Sequence, residues 1–382
     1  MSVPYLSVRD ILDNALHRVE GSTAIAVIAD LEIVARVEII VRNLQNRAGV
    51  RLVLACALAK VHQPSVDIRK PYTEIGSADS FSGRTYDEQY IADFITDNHL
   101  PCNATTAFLT PALRNIETTL TPNVNLVGRP LIVYQSAVQL LTDVYNGSIH
   151  ADALLAETIR LLLVVREEQR GRMEALLAGI RTVDGAVPLS AEGIVALVEH
   201  HLHLPNASRL PVLIVSAAYE AASTQLGERI RPLKGHNAAD KQTGSIGDVE
   251  VTLIGDDQVI TGYEMKMKRV TKGDIDIALT KIIKDDIQNY IFVTTDFIDP
   301  SVKEYAMSCY EKTGDVEIVV LDCLGFLRYF LHLFHRRRTA FVEAYQQLVL
   351  DQPESAVGQP LKEAWLAMRR AAEVRIDAPT ED

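Results

Sequence analysis

The sequence predicts an α/β protein: a mainly helical N-terminal domain, then a domain in which helices and strands alternate around a mixed sheet. Three observations carry this reading. Apolar residues recur at helical spacing through most of residues 11–180, the period falls to two along GDVEVTLIGDDQVITGYEMKMK (Gly247 to Lys268), and the apolar runs YIFVT and VEIVVL then alternate with helical stretches. With 382 residues, 48% of them hydrophobic, the chain can fill about two cores.

In chain order, helical periodicity runs through Ile11 to Val19 and Ala24 to Leu58, interrupted near Asn46 to Gly49. Residues 70–114 then become irregular and rich in Gly, Ser, Thr, Asp, Asn and Pro, a long structured-loop segment of the kind that often carries function. Helical spacing returns from Leu131 to Ile180. RTVDGAVPLS (Arg181 to Ser190) holds Gly185 and Pro188 and ends in a helix N-cap residue, so it reads as the linker between a helical domain, 1–185, and an α/β domain, 186–350. Beyond it we expect helices over Ala191 to His203 and Pro211 to Gly227, a β-hairpin, a helix over Asp274 to Asn289, a strand at Tyr290 to Thr294, a helix over Ser301 to Lys312, a strand at Val316 to Leu321 and a long helix. Residues 351–382 read as a polar tail.

Composition removes several function classes. A net charge of -12 argues against a protein that coats nucleic acid without regard to sequence, because such binding needs a basic surface to displace counterions. The charge is uneven, however: Glu228 to Lys284 carries ten Lys/Arg and nine Asp/Glu, which leaves room for a local basic cleft. The four cysteines form no C-x-x-C pair, no charged segment followed by an apolar run opens the sequence, and no apolar stretch is long enough to span a bilayer. The expectation is a cytoplasmic protein with reduced thiols and no membrane partner. Walker, dinucleotide-binding and G-x-S-x-G patterns do not occur.

The hairpin carries the chemistry. Alternation puts Asp248, Glu250 and Thr252 on one face of the first arm and Glu264, Lys266 and Lys268 on one face of the second. A three-residue loop, Gly255-Asp256-Asp257, pairs Ile254 with Gln258 and sets Asp248 directly across from Glu264. Two carboxylates so placed lie about 5 Å apart at Cβ and can share one Mg²⁺, with the Lys266 ammonium beside the metal-bound water to orient or deprotonate it. That is phosphodiester hydrolysis without a covalent intermediate. The competing reading, a solvated charged face, is what amphipathic hairpins commonly present.

Asp248 with Glu264-Met265-Lys266 resembles the PD-(D/E)xK nuclease core, Gly247-Asp248 standing where that family often has Pro-Asp. The longer strings SFSGRTYDEQY, LPCNATTAFLTPALRN, SRLPVLIVSAAY, HNAADKQTGSIGDVEV and YEMKMK resemble the SacI-type restriction endonucleases, over roughly Lys70 to Phe330. The resemblance implies a type II enzyme that cuts double-stranded DNA at a short palindrome with Mg²⁺, works as a homodimer and is paired genetically with a DNA methyltransferase. It implies Asp248 and Glu264 as metal ligands and Lys266 as the water-activating cation. Glu220 or Glu228 stands open as an additional ligand.

DNA contacts are expected from two further groups. Asn237, Lys241 and Gln242, in HNAADKQTG, carry donors and acceptors suited to base edges; Lys268, Arg269 and Lys272 follow the Glu264-x-Lys266 strand and suit phosphates. Arg84 and Arg114, in the irregular segment, are candidates too, although arginines there equally suit an internal tie to a carboxylate such as Asp87. EHHLH (Glu199 to His203) reads as a polar helix end rather than a zinc site, and HRRR (His335 to Arg338) as a solvated basic face.

Overall fold

The computed structural model describes residues 7–43, 47–102, 106–181, 188–233, 246–285, 287, 289–313 and 316–377. The chain divides into two units, Met1–Arg172 and Met173–Asp382. The division falls inside a helix, ahead of the Arg181 to Ser190 segment, of which residues 182–187 lie outside the described residues.

The first unit is helical, with α1 (Val8–Glu20), α2 (Leu31–Val41), α3 (Ala48–His62), the short α4 (Gly83–Tyr86) and α5 (Ala92–Asp97), α6 (Leu131–Tyr145) and the start of α7 (Ala151–Arg181). Helix α3 is buried from Ala48 to Ala59, apolar on all sides but for Arg51, as a central helix must be. The irregular segment joins the core around α3 through apolar side chains such as Phe81, Phe108 and Leu113, and through one buried charge. Asp87 accepts from Arg51 Nε at 2.6 Å, Thr106 Oγ1 at 2.6 Å and the Ala107 N–H at 2.7 Å, so the buried tie to Asp87 comes from Arg51 on α3. The full satisfaction of both carboxylate oxygens is what lets this pair sit at 1% and 0% exposure.

The second unit carries the sheet. Its helices are α8 (Ala191–Leu202), α9 (Leu210–Leu226), α10 (Lys272–Asp285), α11 (Pro300–Thr313), α12 (Cys323–Leu333), α13 (Arg338–Asp351) and α14 (Gln359–Asp377), and its strands are β1 (Glu228–Ile230), β2 (Val249–Leu253), β3 (Val259–Lys266), β4 (Asn289–Thr294) and β5 (Glu317–Asp322). The five strands stand in sequence order; β1, β2 and β3 are antiparallel, and β3, β4 and β5 are parallel, joined by the crossover helices α10 and α11. One sheet face packs on α8, α9 and α12–α14 through Val249, Val251, Tyr263 and Val293; the other packs on α10 and α11 through Tyr290, Phe292, Ile318 and Val320.

Several expectations change. The competing reading of a solvated face does not hold along the first arm: helices cover both sides of the sheet, so Glu250 and Thr252 are buried. Glu250 is compensated by Arg231 at 3.1 Å and by the Ile246 N–H at 2.9 Å. The register is reached differently as well. Thr252 pairs with Val259 but Val251 pairs with Thr261, so a β-bulge at Ile260 restores next to the site the pairing that a three-residue loop was expected to supply. The long helix after β5 is two helices, α12 and α13, broken by a 3-10 turn at His335–Arg337. Residues 359–377 are not a polar tail but helix α14, whose Leu361 and Trp365, four residues apart, share a buried face. His201 of EHHLH is likewise buried, stacked on Trp365 and bonded to Tyr345 and the Leu361 carbonyl.

Candidate active site

Asp248 lies at the entry to β2 and Glu264 and Lys266 at the exit of β3. The Val249 to Tyr263 pairing, continued by one residue, sets Asp248 against Glu264. The site thus forms at the C-terminal ends of the parallel strands, where Lys266 pairs with Thr294 and Thr294 with Asp322. The chain bends tightly here: the Asp248 N–H donates to the Tyr263 carbonyl at 2.7 Å, and the Met265 N–H donates to Asp248 Oδ2 at 2.7 Å. A Cβ at Gly247 would stand 2.4 Å from that Tyr263 oxygen, so glycine is what permits the approach.

Glu264 and Lys266 point to the face covered by α10 and α11. The Tyr290 hydroxyl lies 3.1 Å from Glu264 Oε2, and the ring reaches there beside Gly262, where a side chain would crowd it at 3.0 Å. Lys266 Nζ sits 3.2 Å from Glu264 Oε1 and 3.4 Å from Asp274 Oδ1. Burial alone would lower the Lys266 pKa, but Glu264 and Asp274 outweigh it and raise it, so the group is held as an ammonium. Burial likewise opposes the Asp274 charge, yet the Thr271 hydrogen bonds and Lys266 outweigh it and keep this carboxyl below the usual range. Asp274 and Tyr290 are the residues that sequence reasoning missed. The Thr271-x-x-Asp274 spacing of a capping box was a readable sign of the first; Tyr290 had no local signal.

Asp248 is exposed, and Glu264 and Lys266 are partly so, at 20% and 30% of their side-chain surface. Two carboxylates with the remaining positions open to water and phosphate suit Mg²⁺, which keeps several waters and takes one or two protein carboxylates. Glu228, paired with Leu253, is about 17 Å along the strand from Asp248. Glu220 has Asp351 as its charged neighbour; burial first and that charge second raise its pKa. Among the described residues no three His, Cys, Asp or Glu side chains gather as a metal cluster. A cation does lie near: Arg209, at the start of α9, is buried within electrostatic reach of Asp248.

Lys268 and Arg269, on the connection from β3 to α10 that Val270 anchors in the core, and Lys272, the first residue of α10, are exposed. Arg269 lies over the Phe297 ring at 5.4 Å and Lys272 over Tyr305 at 5.5 Å. Arg84 belongs to the first unit and pairs with Glu88 at 2.8 Å. Asn237, Lys241 and Gln242 lie outside the described residues.

Residues 190–295 match the family described as the SacI restriction endonuclease C-terminal domain. The matched stretch runs from the N-cap of α8 to the end of β4 and includes Asp248, Glu264, Lys266, Asp274 and Tyr290. The likeness to the SacI-type restriction endonucleases therefore holds over this part of the chain. No curated protein matches the chain.

Proposed function

From the match of residues 190–295 to the SacI restriction endonuclease C-terminal domain, we propose that the protein is a type II restriction endonuclease: a Mg²⁺-dependent hydrolase that cuts both strands of double-stranded DNA at a short palindromic site. The five-stranded sheet is read as a PD-(D/E)xK core with Gly247-Asp248 in the Pro-Asp place. The observation that carries the proposal is the meeting of Asp248, Glu264 and a charged Lys266 at one end of the sheet, inside the matched stretch.

Bound Mg²⁺ would polarise the scissile phosphate and lower the pKa of a coordinated water. Asp248 and Glu264 would hold it, Glu264 with the oxygen that now faces Lys266. Lys266, as an ammonium, orients the attacking water and offsets charge on the pentavalent phosphorane. Lys268, Arg269 and Lys272 would clamp the adjacent phosphates. Asn237, Lys241 and Gln242, with Arg84, are proposed to contact the DNA where the sequence is read. A homodimer would serve one strand with each subunit, and a methyltransferase of the same specificity would protect the host DNA.

Incubation of plasmid with protein and Mg²⁺ tests this. Discrete fragments are expected, and Asp248→Asn or Glu264→Gln should abolish them with the fold intact, since each amide keeps an oxygen for the Met265 N–H or the Tyr290 hydroxyl and Lys266 keeps Asp274. Smears or nicks would indicate a general or structure-specific nuclease, and an intact but retarded plasmid a non-cleaving DNA binder. Full-rate cutting by either variant would remove the site assignment.

A further inference from the structure

Glu264 has one carboxylate oxygen beside the Tyr290 hydroxyl, and the other, Oε1, faces Lys266. The atom a divalent cation needs is therefore the atom the ammonium occupies. A divalent cation and an ammonium drawn to the same oxygen repel each other in this partly buried site, so each weakens the other's hold on it.

A second carboxylate stands ready. Asp274 Oδ1 is already 3.4 Å from Lys266 Nζ, and Asp274 does not move with the lysine. Its Oδ2 accepts from the Thr271 N–H at 2.9 Å and the Thr271 hydroxyl at 2.7 Å, while its own N–H donates back to that hydroxyl at 3.2 Å. This capping box opens α10, and Val270 and Ile275 fix it in the core at 3% and 0% exposure. Resting on the nuclease reading, we infer that Asp274 is a positioning residue, which takes the Lys266 ammonium when Glu264 turns to the metal and so keeps it beside the reacting phosphate. The lysine already touches both carboxylates, and one of them is built into a helix cap.

Asp274→Asn separates this role from capping. The amide oxygen can keep the Thr271 bonds, but the amide NH₂ then faces Lys266 as a donor against donors. Lys266 is left with Glu264 alone, where it competes with Mg²⁺. Titration calorimetry with Mg²⁺ should therefore show severalfold weaker binding in Asp274→Asn, and this loss should vanish when Lys266→Met removes the competitor, a coupling that mere loss of a nearby negative charge would not produce. In plasmid cleavage, Asp274→Asn should also lower kcat at saturating Mg²⁺. Equal weakening with and without Lys266, or no weakening, overturns the inference and leaves the nuclease reading standing. Absence of Mg²⁺ binding by the wild-type protein would instead remove the metal reading on which it rests.

Discussion

A Cβ on Gly247 would meet the Tyr263 carbonyl oxygen at 2.4 Å, closer than real side chains approach, and backbone must yield if one is added. Gly247→Ala should push Asp248 away from β3 and break the Asp248 N–H to Tyr263 bond, costing about 1 to 3 kcal/mol of stability and most of the cleavage rate. Chemical denaturation and plasmid cleavage read the two effects; a fully active, equally stable variant would show that the approach is not needed. His201 sets a second expectation at this scale. Burial lowers its pKa from 6.5 to about 4, so the unfolded chain binds a proton there that the folded chain refuses. Stability from this group is complete above pH 6.5 and is lost as pH falls toward about 4, by roughly 3 kcal/mol. Thermal denaturation across that range should show a weaker pH dependence for His201→Gln than for the wild type, and parallel curves would contradict the burial argument.

The β3 to α10 connection joins strand chemistry to basic side chains within a few residues. Val270 holds its middle in the core, and the Thr294 hydroxyl holds the Lys268 carbonyl at 3.0 Å, so Lys268, Arg269 and Lys272 project from a fixed backbone. Replacing any one by Ala should weaken binding to cognate and scrambled duplexes alike and reduce the salt dependence by about one counterion. Duplex titrations at several salt concentrations measure this, and a loss confined to the cognate sequence would make that residue a reader of bases instead. Most of these elements were legible: the period-two arms, the helix between β3 and β4, and the two apolar parallel strands follow from local pattern. Strand β1 was not, because three residues with no alternation worth the name, Glu228–Ile230, are strand only by pairing with β2. Nor was α14, where a mostly polar composition hid the Leu361, Trp365 stripe.

For the whole molecule, a palindromic DNA site is most simply served by a two-fold dimer, each subunit placing one Asp248, Glu264, Lys266 set on one strand. Sedimentation with cognate DNA should give a dimer; a strict monomer making concerted double-strand breaks would contradict this. The sequence by itself determined the α/β class, the strands that bear the two carboxylates and the lysine, and the helix that follows them, because periodicity, turn residues and a two-residue alternation are local properties of the chain. Tertiary structure alone decided that both hairpin faces are covered, that a bulge at Ile260 sets the register, and that Tyr290 and Asp274 stand against Glu264 and Lys266. Those are contacts between residues well separated along the chain, and no local preference specifies which of many apolar surfaces a helix will cover or which distant side chain will meet a buried charge.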